Sequence, residues 1–140
     1  MSIGGSSIPA ERIVRGTTQA TTSGSAVGFT SIPSWVKKIT FQLNNVNANS
    51  ATPIIQLGSG SYASSGYSTI LGVLGSGGTG AALYSAGFPG GSWAWTYFGN
   101  TGAIVFSLLD SATNLWVGQG VITGCNSTPT YYSYAIGGSV

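Results

Sequence analysis

The chain contains no histidine, one cysteine and only two acidic residues, Glu11 and Asp110. Without histidine there is no Ser-His-Asp or Cys-His catalytic set, and the commonest metal ligand is missing. Cys125 stands alone, so it can form neither an internal disulfide nor a structural zinc site. Its expected role is a buried thiol, in a fold made in a reducing cytoplasm. Two carboxylates can serve a glycosidase only when held about 5 to 10 Å apart across a cleft. Here one lies in an N-terminal segment and the other between two strand-like runs. No enzyme, cofactor or metal is expected.

Charge is scarce throughout. Charged residues make up 4% of the chain, against about 25% in ordinary globular proteins. The basic residues are Arg12, Arg15, Lys37 and Lys38, which form no basic stripe, so nucleic acid is not an expected partner. No run of 18 apolar residues occurs, which argues against membrane insertion, and the start lacks the basic-then-apolar pattern of a signal peptide.

What remains is glycine, small polar residues and β-formers. The 23 glycines and the shortage of Lys, Glu, Gln and Arg leave almost no helix-forming stretch. Hydrophobic residues at 42% argue against disorder. The expectation is an all-β fold.

Residues 1–25 read as an extended N-terminal arm and linker, and 26–140 as the folded domain. Ile8, Glu11, Arg12, Ile13, Val14 and Arg15 give the arm three charges and three branched apolar residues. The segment is too short for an isolated helix. It is either a solvated tail or a peptide that docks on a neighbouring subunit or particle.

The cleanest pattern lies at Val36–Leu43. Ile39, Phe41 and Leu43 alternate with Lys38, Thr40 and Gln42, the period of a half-buried strand. It is expected to be the central strand, with Trp35 plugging the end of the core. Other strand candidates are Ala26–Phe29, Pro53–Leu57, Tyr67–Val73, Ala82–Tyr84, Ser92–Phe98, Ala103–Leu109, Leu115–Ile122 and Tyr131–Ile136. Asp110–Asn114 is a good five-residue hairpin loop. Gly75–Gly80 formally matches G-x-G-x-x-G but lacks the flanking strand, helix and acidic residue of a dinucleotide site, so it reads as a flexible loop. About eight short antiparallel strands with turn signals between them suggest a β-sandwich or jelly-roll-like domain.

The aromatics offer contact surface. Trp93 and Trp95 share one face of a strand candidate, while Tyr62 and Tyr67 lie in or beside a Gly/Ser loop. Packing is the plainer reading for the tryptophans. All four are also candidates for receptor or interface contact, the loop tyrosines because Tyr among Ser and Gly has the chemistry of antibody paratopes.

The run Gly24-Ser-Ala-Val-Gly-Phe-Thr-Ser-Ile-Pro-Ser-Trp-Val-Lys-Lys-Ile-Thr40 resembles a segment that recurs in tail-fibre and related virion structural proteins of tailed bacteriophages. Asn45–Ser50, Ile54–Gly58 and Gly66-Tyr67 fit the continuation, and Trp116–Gly120 fits more loosely. The family has two further strands after the position of Gly137–Ser139, which would leave open edges here and favour oligomers. The resemblance implies a virion protein without catalytic residues, made in the host cytoplasm and assembled as a homo-oligomer, a trimer by expectation. Its partners would be other tail or capsid proteins and a host cell-surface glycan. A tail-fibre or tail-tip component is the first expectation. A capsid decoration protein that clamps the head through its arm is the second, and a free carbohydrate-binding module the third. A Lys37–Asp110 contact is a further guess.

Overall fold

A computed structural model describes residues 13–22, 24–47, 51–75, 78–91, 99–125 and 131–140, with backbone alone at 78, 125 and 131–136. The chain divides into two units, Met1–Ile32 and Pro33–Val140. In the first, the described residues carry neither helix nor strand, so the strand expected at Ala26–Phe29 is absent. Ile13 is 91% exposed, and Val14 and Ile32 are also exposed.

The second unit is all-β and antiparallel, as the composition suggests. Its strands are β1 (Lys38–Val46), β2 (Ile54–Ile55), β3 (Gly58–Ser59), β4 (Ser61–Tyr62) and β5 (Ser68–Gly75). There follow β6 (Gly78–Tyr84), β7 (Phe88–Pro89), β8 (Asn100–Asp110), β9 (Leu115–Cys125) and β10 (Tyr131–Ser139). Six of them form one sheet in the order β1-β8-β9-β10-β5-β6. The pairs β2–β7 and β3–β4 are separate. β7 packs on β5 and β10, giving a sandwich with one broad and one thin layer.

The predicted central strand is therefore an edge strand. β1 pairs only with β8, and its alternation holds: Ile39, Phe41 and Leu43 turn inward while Lys38, Thr40 and Gln42 are exposed. Trp35 is 48% exposed and plugs nothing. The centre is filled instead by β9 and β10. β10 pairs along its whole length with β9 on one side and β5 on the other. The edges are thus β1 and β6, and not the position where further strands were expected. Val140 and Trp116 continue the ladder through two backbone bonds of 2.7 and 3.0 Å.

The core lies on the inner face of the broad sheet. Leu43, Leu71, Ile104, Phe106 and Ile122 point inward, and Phe88 descends on them from β7. Phe88 is fully buried, which is worth on the order of 2 to 3 kcal/mol for such a side chain. It meets Tyr67 edge-on at 5.7 Å and Phe106 at 4.9 Å between ring centroids. Gly118, opposite Phe106 in the ladder, provides the room: a Cβ there would lie 2.6 Å from Phe88 and 2.8 Å from Phe106. Such spacing is below contact distance, so the glycine is a packing requirement within the strand.

Side-chain hydrogen bonds tie the thin layer down. The buried Thr69 hydroxyl lies 2.8 Å from the Gly87 carbonyl and 3.1 Å from that of Tyr84, which share its one proton. Gly90 N–H donates to the Pro53 carbonyl at 2.7 Å. The predicted hairpin at Asp110–Asn114 is present between β8 and β9, with Asn114 at φ 56° to close the turn. Gly75 and 78–80, expected in a flexible loop, belong to the β5–β6 ladder, in which Gly75 pairs with Gly78.

Candidate functional site

The sheet leaves one face without a covering layer among the described residues. Residues that alternate with the core positions point there: Ile70 and Leu74 on β5, Leu83 on β6, Val105 on β8 and Val121 on β9, with Leu109 exposed at the register shift that ends β8. Leu74, Leu109 and Val121 are each about 60% exposed, and Leu83 is 84% exposed. The polar residues among them are neutral, such as Thr40, Gln42 and Gln119. Lys38 at one corner and Asp110, opposite Leu115 at the end of β8, are the charges on this face among the described residues. Six strands about 4.8 Å apart and roughly eight residues long span on the order of 600 Å². Its exposed apolar residues make this face the candidate contact surface. A shallow depression at its centre is lined by Ala103, Val105, Gln119 and Val121.

This face escaped the sequence reading, which named no apolar sheet face as a contact surface. Its signal was present: β9 carries apolar residues on both parities, Val117 and Val121 as well as Trp116 and Ile122.

The expected site residues scatter. Tyr62 is 55% exposed on β4, in a small hairpin turned by Gly60 at φ 84° and closed by a 2.9 Å bond from Ala63 N–H to the Leu57 carbonyl. Tyr67 is buried, and its ring belongs to the core. Its hydroxyl accepts from Leu57 N–H at 2.8 Å and faces the Leu57 carbonyl at 3.2 Å. A surface-contact role therefore falls away for Tyr67. The reason is Phe88, which comes from later in the chain to cover it. Burial raises its phenol pKa above the ordinary 10.0, against a lowering by the Leu57 bond.

Trp93 and Trp95 lie outside the described residues, as do Ile8, Glu11 and Arg12 of the arm and the Cys125 side chain. Ile13, Val14 and Arg15 are all exposed.

No ion pair joins Lys37 to Asp110. The carboxylate is engaged locally, accepting from Ala112 N–H and the Thr113 hydroxyl, both at 2.8 Å. These bonds, the Ala112 one foremost, lower its pKa. Among the described residues no three His, Cys, Asp or Glu side chains gather as a metal site. Nor is any described helix long and apolar enough to cross a membrane.

No protein-family model, curated protein or solved structure matches this chain.

Proposed function

We propose that this chain is a non-enzymatic bacteriophage virion structural protein, a tail-fibre or tail-tip component that works by assembly and attachment. The observation that carries the reading is the broad sheet's exposed face, charged only at its margin, with Leu74, Leu83 and Val121 exposed on it. Such a face suits lasting burial against other subunits, where a charged surface would have to be desolvated. The tail-fibre-like run Gly24–Thr40 supports the same reading. The protein would be made in the host cytoplasm and function in the particle as a homo-oligomer among other virion proteins. Exposed Tyr62, in its Ser/Gly hairpin, would touch a host glycan.

Gold-labelled antibody on particles of the phage that carries the protein tests this. Label at the tail ends is expected. Its absence from every purified particle overturns the virion role.

A second reading, capsid decoration, draws on the exposed Ile13, Val14 and Arg15 of the N-terminal unit. These would clamp adjacent capsid subunits. Label on heads, lost when residues 1–16 are deleted, selects it over the tail.

A further inference from the structure

The two edges of the broad sheet are built differently. β1 carries the devices that stop a sheet from recruiting another strand. Lys37 and Lys38 open it, and its pairing breaks between Leu43 and Val46, where Asn45 takes φ 53°. Charge and a bulge are two of the standard protections of an edge. β6 has neither. Gly78-Thr-Gly-Ala-Ala-Leu-Tyr84 contains no charge and no proline. It pairs with β5 without a break, from Thr69 opposite Tyr84 to Gly75 opposite Gly78.

Among the described residues β5 is the only strand that pairs with β6, and its other side is open. Thr79, Gly80 and Ala81 are exposed, and a Cβ on Gly80 would meet nothing within 4 Å. In an antiparallel edge strand alternate residues turn their N–H and C=O away from the sheet. Among the described residues none but Thr69 adds a bond to β6 from outside the ladder, and it takes the Tyr84 carbonyl.

We propose that β6 is the docking edge for a second copy of this chain. The two β6 strands pair antiparallel about a two-fold axis at Ala81, joining the broad sheets into one. The sequence is self-complementary in that register. Ala81 faces its twin, Gly80 faces Ala82, Thr79 faces Leu83 and Gly78 faces Tyr84. Residues opposite one another share a face, so the inner positions Gly80, Ala82 and Tyr84 stay inner and the outer ones stay outer. A slip by one residue would turn one copy over and set its core face against the other's exposed face. Among the registers that preserve the faces, the one centred on Ala81 pairs the whole strand. Small side chains permit close approach, and the strand brings no charge to face its own copy. The alternative contact, β6 against a neighbour's β1, meets two lysines and a bulge. A threefold ring built from these edges would need that contact.

The inference goes beyond the virion reading and does not depend on it. A dimer found on no particle leaves the pairing standing. A monomer found on tail fibres removes the pairing and leaves the function.

Disulfide trapping in the full chain, with Cys125→Ser as background, is the test. Ala81→Cys should give a covalent dimer on mild oxidation, because opposed strand positions lie within disulfide reach. Gln42→Cys, exposed on the guarded edge, should stay monomeric. Thr79→Cys mixed with Leu83→Cys should form the mixed dimer in excess over either alone, which fixes the register. Equal trapping at Ala81 and Gln42, or no excess in the mixture, overturns the proposal. Without any cysteine introduced, Ala81→Lys should weaken dimerisation at least tenfold by sedimentation while keeping the β-sheet circular dichroism. An undiminished dimer in that variant also overturns it.

Discussion

Phe88 and Phe106 meet edge to face, 4.9 Å apart and at 73°, over the bare backbone of Gly118. The strand-to-layer contact of the whole fold converges there, because Phe88 is the main apolar residue of β7 and Tyr67 packs against its other side.

Gly118→Ala should therefore cost about 1 to 3 kcal/mol, the usual penalty for overpacking a tight core. Gly80→Ala, with open space around the new methyl, should be neutral or slightly stabilising. Thermal unfolding of the two variants checks this. Similar midpoints for both would mean that Phe88 can shift to make room.

Tyr67→Phe should keep the ring packing and lose about 1 to 2 kcal/mol, since the Leu57 N–H loses its acceptor. The pH dependence has a definite sign. With the folded pKa raised above the ordinary 10.0, the stabilisation is complete below that value and is lost as pH rises through the folded pKa. Denaturant melts above pH 10 should show wild type losing this advantage over Tyr67→Phe. A difference that stays constant with pH would count against the buried phenol.

Asp110 gives the opposite limb. Its folded pKa lies below the ordinary 3.8, because Ala112 N–H and the Thr113 hydroxyl bond the charged form. The contribution is present above that value and is lost as pH falls through the lower folded one. Asp110→Ala should be less stable than wild type at pH 7 and converge with it in strong acid. Parallel stability curves down to pH 2 would contradict the turn geometry.

Val121→Lys places a charge in the middle of the apolar sheet face. Folding stability should change by less than about 0.5 kcal/mol, as for other exposed positions away from packing. Co-sedimentation with particles, and binding of an apolar dye to the free protein, should both fall. If both are unchanged, the face is not the contact surface.

Much of the fold was legible in the sequence, and the exceptions share a cause. Asp110–Asn114 was found because a turn is a local event: polar, turn-forming residues interrupt two alternating runs. Ile39, Phe41 and Leu43 were placed inward for the same local reason. That β1 is an edge was not read from its alternation, since an edge strand and a central one bury a face alike. Lys37 and Lys38 were the signal for an edge, and Lys37 was read instead as a partner for Asp110. Tyr67 looked like loop surface because its neighbours are Gly and Ser. Its burial depends on Phe88, more than twenty residues later. Gly118 fell inside a strand candidate, and its role as a spacer beneath two aromatic rings had no local signal. Long-range pairing decides each of these, and local pattern does not report it.

The place of β10 has a consequence for how the fold assembles. β10 follows the other five strands of its sheet in sequence yet lies between β9 and β5, so until it is synthesised the sheet is two pieces, β1-β8-β9 and β5-β6. Neither piece can close on the other, and each presents a raw inner edge while it waits. Completion is thus a late, non-local step, the kind that slows folding and exposes the nascent chain to misassociation.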